Sequence, residues 1–280
     1  MQDTQEIAET PVAREEHPGG ARIQSAAYLL ELSLDWIVLR ASENVHRLLG
    51  ESHVTLIGEP LGRFVHSQAL HDLRNLFARL SGTTGIGRAY AVRLTNDPDL
   101  VDIAFQLSDG RVLLEAVPSS GTYGEAFGTV GGLIAGLANS RGQALLDAGA
   151  RRMRALTGYD RVTLVCGNDR AESSRGAFTA PADMASDQPA IVSDPSAEGV
   201  AIFPRNVGET SVDDALMCAP QSRSAVGASM RVPFDVDDLQ GEFRCECRGP
   251  HEPNFELHAA AELFAQLFAM RLEIDHLKTR

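Results

Sequence analysis

Thiols, imidazoles and carboxylates are the side chains of this chain that could do chemistry, and their spacing limits what that chemistry can be. There are four cysteines: Cys166, Cys218, Cys245 and Cys247. Cys245 and Cys247 are two residues apart, so a regular strand puts both thiols on one face. A structural zinc site wants two further nitrogen or sulfur ligands at suitable spacing. Only His251 and Cys218 offer themselves, in an irregular set, so no metal site is expected. A redox-responsive pair is the alternative, and buried, reduced structural thiols are the reading preferred. The histidines cluster in the first half (His46, His53, His66, His71), with none placed as a haem axial ligand. No GxSxG, HExxH, P-loop or dinucleotide fingerprint is present. The carboxylates are scattered and supply no acid–base pair. Catalysis is therefore not expected, and binding or signalling is.

The elements that must position these groups centre on Ala225–Cys247. In its second arm Leu239, Gly241, Phe243, Cys245 and Cys247 alternate with Gln240, Glu242, Arg244 and Glu246. That period of two predicts a half-buried strand in a hairpin, with its turn at Asp235, Asp237 and Asp238. Upstream, residues 1–20 are expected to be a disordered tail, rich in charge, proline and glycine. Tyr28–Leu32 and Trp36–Leu39 read as a hairpin. Ser42–Asn44 caps a short helix that stops at Gly50, Leu56–Pro60 is a loop, and His66–Leu80 has the 3,4 spacing of a helix. Strands are predicted over 89–94, 100–107 and 112–117. This is the layout of a PAS domain, assigned to residues 21–119.

Gly121–Gly132 reads as a linker or weak helix start, and Leu133–Leu156 as one long helix capped by Gly158. Strands follow at Val162–Cys166 and Ser173–Thr179, then an irregular, proline-marked stretch over Ala180–Asp214. A loop of that length inside a domain has a structural or functional reason. After the hairpin, Phe255–Lys278 is a strong helix. The whole reads as a GAF-like unit over residues 120–278, ending in a coiled-coil-like helix. In that helix Leu263, Leu267, Met270, Ile274 and Leu277 recur at 4,3,4,3, a short heptad seam suited to a homodimer or partner helix.

Composition narrows the partners. The formal net charge is −13, and Lys278 is the one lysine, so nucleic acid and anionic membranes are not expected partners. No 18-residue apolar run predicts a membrane span, and the polar, acidic start does not resemble a signal peptide. A cytoplasmic location is expected.

The motifs themselves resemble the PAS–GAF core of bacteriophytochromes. Ile23-Gln24 with Tyr28-Leu29-Leu30 is similar to the family's IQPHG-x-LL strand. Thr157–Val162 reads TGYDRV, as the family does. Ala225–Met230 is similar to GVRASM, and Leu239-Gln240-Gly241 with Cys245 to LWG-x-x-x-CHH. The resemblance implies an α+β fold, each domain an antiparallel sheet flanked by helices. It also implies a figure-of-eight knot, with the N-terminal segment passing through a lasso within Ala190–Pro220. It implies that Ser229 and Arg231 are candidate anchors for a ligand's carboxylates, and that Val165, Cys218, Glu246 and Cys247 fall at or near the pocket.

The departures decide the expected function. The family attaches biliverdin through an N-terminal cysteine at the place of Val12, and the first cysteine here is Cys166. The Pro-His-Gly of the first motif is replaced, and the PASDIP motif is absent. Pro181–Asp187 is a shuffled string, and the helix before Ala225 is shortened, without its histidine. Glu246-Cys247 stands where the family has two histidines, and Val165 where it has a tyrosine. Glu246 puts an acceptor where a protonated bilin wants a partner of the other kind. Cys218 would be a replacement nucleophile without a histidine to assist it. The expectation is a non-catalytic sensory module without bound cofactor, with any kinase or other output domain outside this chain. The alternative is a sensor holding biliverdin, haem or another tetrapyrrole noncovalently.

Overall fold

A computed structural model describes residues 21–80, 85–121, 124–178, 188–205, 211–220, 225–236 and 239–279. The expected tail at 1–20, the Asp237-Asp238 turn and the Pro181–Asp187 string lie outside these residues. In chain order the strands and helices are β1 (Arg22–Ile23), β2 (Tyr28–Leu32), β3 (Val38–Ser42), α1 (His46–Leu49), α2 (His53–Leu56), α3 (Ser67–Leu80), β4 (Gly87–Val92), β5 (Val101–Ser108) and β6 (Arg111–Pro118). Then come α4 (Glu125–Ala135), α5 (Gly142–Thr157), β7 (Arg161–Cys166), β8 (Asp169–Ser174), β9 (Ile191–Val192), β10 (Val200–Phe203), β11 (Ala228–Val236), β12 (Leu239–Cys247) and α6 (Phe255–Thr279). The fold is α+β, with two antiparallel sheets flanked by helices.

The first sheet has the order β1-β10-β3-β2-β6-β5-β4, the second β8-β7-β12-β11-β9. Successive side chains of a strand point to opposite faces, and β2 and β6 use this to join two cores. Leu29, Leu113 and Val117 enter the core shared with α4, α5 and α6. Leu30, Leu114 and Ala116 enter a second core under α1, α2 and α3, with Trp36 and Leu73. Burial on both faces is why these strands read as nearly continuous apolar runs. The second sheet buries one face against α5 and α6, where Phe243 packs on Phe264 and Phe268 with ring centroids 5.9 and 5.3 Å apart.

Several expected elements differ. The long helix over Leu133–Leu156 is two helices, broken between Ala135 and Gly142, where Gly136, Asn139, Ser140 and a left-handed Gly142 (φ 49°) interrupt it. Of the two readings of Gly121–Gly132, linker or helix start, the structure has the helix, α4, from Glu125. The strand expected at Ser173–Thr179 starts earlier, at Asp169, because Gly167-Asn168 makes a two-residue hairpin turn to β7. The loop at Leu56–Pro60 follows a helical turn, α2, capped by the Ser52 side chain. Gly50 and Gly158 do terminate α1 and α5 in the left-handed conformation.

The irregular stretch has a structural reason. Its β10 leaves the second sheet's neighbourhood and pairs with β3 and β1 of the first. On β1's other edge, Ile23 bridges Cys218, Ala219 N–H donates to the Arg22 carbonyl (2.9 Å), and Gln24 N–H donates to the Met217 carbonyl (3.0 Å). The Gln24 side chain donates to the Ile191 carbonyl (2.7 Å) and accepts from Ser193 N–H (2.8 Å). The described parts of the expected lasso, residues 190–205 and 211–220, thus contact β1 on both edges and around Gln24.

Helix α6 ties the parts together through its acids. Glu256 accepts from Gly124 N–H ahead of α4, and Asp275 from Gly142 N–H at the start of α5, both at 2.8 Å. Glu262 pairs with Arg88 of β4 at 2.8 Å, and His258 Nδ1 accepts from the same guanidinium at 2.9 Å.

Candidate functional site

The face of the second sheet opposite α5 and α6 is built by the pairing of β7, β12 and β11. One row runs Arg161, Glu246, Ser229; the next Thr163, Arg244, Arg231; the third Val165, Glu242, Pro233. The alternation of β12 puts Glu242, Arg244 and Glu246 here, and register puts basic residues beside them. Arg161 and Glu246 meet at 2.5 Å, each 3% exposed. The Arg161 guanidinium lies 4.2 Å over the Phe178 ring, and Arg248 approaches the same ring at 5.1 Å. Glu242 is shared: one oxygen takes Arg231 at 2.7 Å and the other Arg244 at 2.5 Å. Arg231 also donates to the Gln188 carbonyl at 3.0 Å.

The structure therefore groups four of the expected residues, Ser229, Arg231, Glu246 and Val165, on one face. Ser229 is 1% exposed, and its hydroxyl, like that of Thr163, is buried without a hydrogen-bond partner. Cys247 is not with them. It shares the opposite face with Cys245 and packs on the helix-side core, as period two requires. Burial pushes both thiols up, Cys245 most strongly. Cys218 is elsewhere, on the lasso beside Ile23; burial and the nearby Glu115, Asp213 and Asp214 push it up to about 12. All four cysteines are free, and no group of three or more metal-ligating side chains is assembled among the described residues.

Arg161, Glu242, Arg244 and Thr163 complete the site and were not among the sequence candidates. Their signal was present: three charged residues at period two in a strand due to be buried need opposite charges on the neighbouring strands. The seam residues of α6 divide. Leu263, Met270, Ile274 and Leu277 are 42, 51, 47 and 64% exposed, whereas Leu267 turns partly into the core.

Arg161 neutralises Glu246 where the resemblance would put a chromophore partner, and Arg231 is engaged by Glu242 and the Gln188 carbonyl.

No protein-family model matches the chain, and no curated protein matches it. Solved structures do. The chromophore-binding domain of a Stigmatella aurantiaca phytochrome is 22% identical with a TM-score of 0.70, over 92% of this chain and 96% of that one. The chromophore-binding domain of an unusual bacteriophytochrome from R. palustris is 21% identical with a TM-score of 0.70, over 95% and 99%. The photosensory core module of the Stigmatella aurantiaca phytochrome is 23% identical with a TM-score of 0.71; this chain is covered over 98% and spans 61% of that module. The chain has the fold of these phytochrome-type chromophore-binding domains. No described helix is long and apolar enough to cross a membrane.

Proposed function

We propose that a chain with this fold and this occupied sheet face is a cytoplasmic, phytochrome-like sensory module that works without covalent bilin. On this reading a PAS domain (21–119) and a GAF domain (120–278) carry a signal to α6, and no catalysis occurs within these residues. The exposed stripe Leu263, Met270, Ile274 and Leu277 meets the same helix of a second copy or a signalling partner, and any output activity resides outside these residues.

One observation carries the reading: the charged side chains Arg161, Glu246, Arg231, Glu242 and Arg244 of the candidate pocket face are paired with each other. A buried ion pair keeps its charges only while both partners remain. A tetrapyrrole placed against Arg161–Glu246 would have to break that pair or sit on neutralised groups. The test is an absorption spectrum of the protein co-expressed with a biliverdin source, and of the purified protein after adding haem. The expected spectrum has no visible band. A red band that shifts on illumination would overturn the proposal.

A second reading is favoured by the buried, unpartnered Ser229 hydroxyl, which a ligand oxygen could satisfy. Under it, biliverdin, haem or another tetrapyrrole is held noncovalently. A band that is lost on denaturing gel filtration and weakened by Ser229→Ala would identify that case.

A further inference from the structure

Glu115 lies inside the apolar run of β6 and is buried, at 2% exposure. Among the described residues no cation forms an ion pair with it. Its two oxygens instead accept from consecutive backbone N–H groups of the lasso, Leu216 and Met217, each at 2.8 Å. Those same two residues hold the rest of the junction. The Leu216 carbonyl accepts from Ile191 N–H (3.0 Å), and Ile191 begins β9, the strand that pairs with β11 at the edge of the second sheet. The Met217 carbonyl accepts from Gln24 N–H (3.0 Å) beside β1. One carboxylate therefore terminates two hydrogen-bond chains, one reaching the second sheet and one the enclosed N-terminal segment.

We propose that Glu115 is a protonation-controlled latch between the first sheet and the lasso, so that the module responds to proton activity as well as to any ligand. The two states differ at one oxygen. The carboxylate accepts both N–H donors. A proton on either oxygen turns an acceptor toward a donor, and one of the two bonds is lost. The charged and titratable groups of the described elements packed around it are these. Arg88 of β4 favours the anion. Glu31 on β2, Asp102 on β5, and Asp213 and Asp214 of the lasso are acidic; Cys218 stays protonated. His258 and Glu262 of α6 lie behind Arg88. Asp214 is itself engaged by the Ser108 hydroxyl at 2.5 Å. Desolvation outweighs the two N–H donors and Arg88, and pushes the Glu115 carboxyl up from 4.5 to about 7. The folded protein as a whole gains from this group below pH 4.5 and loses that gain as pH rises through about 7. The lasso contact follows the same sign: opening that exposes the Leu216 and Met217 N–H groups also hydrates the carboxyl and returns it toward its ordinary value, so the contact loosens as pH rises through about 7.

The test uses the whole chain and does not depend on whether a tetrapyrrole binds. Amide exchange of Leu216 and Met217, corrected for the intrinsic pH dependence of exchange, is followed from about pH 6 to pH 8. Protection is expected to fall roughly tenfold over that range, as a closed-state carboxyl titrating near 7 and an opened one near its ordinary value require. Glu115→Gln, which carries no titrating proton, is expected to show no such change with pH. A flat wild-type profile, or an unchanged slope in Glu115→Gln, overturns the latch. If the variant does not fold, the wild-type glutamate carboxyl carbon signals decide. One titrating near pH 7 supports the proposal, and none titrating above about pH 6 refutes it.

Discussion

Replacing Glu246 with alanine isolates the interaction on which the reading of the sheet face depends. The substitution removes one charge from a pair whose members are each 3% exposed and leaves the Arg161 guanidinium buried against Phe178. Among the described residues of this face the other acid, Glu242, is already shared by Arg231 and Arg244. Breaking a buried pair in this way costs about 3–5 kcal/mol, most of it from the charge left behind. For a chain of this size each kcal/mol lowers Tm by roughly 2–4 °C, so a fall of about 6–20 °C is expected. Urea unfolding followed by circular dichroism measures it directly. The control is the double variant Arg161→Met with Glu246→Leu. It removes both charges at similar volume and is expected to recover most of the loss, because the pair's net contribution is small even though its halves are costly. A single-variant loss below about 1 kcal/mol, or a double variant as unstable as the sum of the singles, would refute the argument that these charges exist to neutralise each other.

Three further outcomes follow from the geometry. Leu263→Asp with Ile274→Asp, both on the exposed stripe of α6, is expected to convert a dimer to a folded monomer in light scattering; a wild-type protein that is itself monomeric sinks the seam. Gly149 has no room for a side chain, since a Cβ there would lie 2.3 Å from the Phe268 ring; Gly149→Ala should cost about 1–3 kcal/mol by thermal unfolding. His258 is held neutral: burial lowers it from 6.5 to about 4, and Arg88 opposes its charging. Its folded pKa is depressed, so its contribution is present above pH 6.5 and lost as pH falls toward 4. Roughly 3 kcal/mol should go; because Glu115 acts with the opposite sign over this range, the fall is read in Glu115→Gln, where unfolding midpoints that do not fall between pH 7 and pH 4 would contradict it.

Local pattern carried much of the architecture. The hairpin at 228–247, the helices at 67–80 and 255–279, and the glycine stops at Gly50 and Gly158 follow from period, caps and backbone preference. What failed was nonlocal. Nothing in the string Val200–Phe203 says that it pairs with β3, some 160 residues earlier in sequence. The helix break at 136–142 was obscured because alanine and leucine on both sides keep a helical face in phase. Of the site, Ser229, Arg231 and Glu246 were legible from motif position. Arg161 lay in plain view within TGYDRV, but its partner is set by the β7–β12 register, which a single chain does not spell out. Cys247 was misplaced by proximity to Glu246, although period two alone puts them on opposite faces.

The acids of α6 have a mechanical consequence. Glu256 and Asp275 are 19 residues apart, about 28 Å along the helix, and each holds the first backbone N–H groups of a different helix. A beam pinned at both ends to its two neighbours cannot twist without releasing one of them. Motion that reaches the exposed stripe is therefore expected to carry α4, α5 and α6 together as one stiff plate, tilting against a second plate, in place of a single helix turning in its groove.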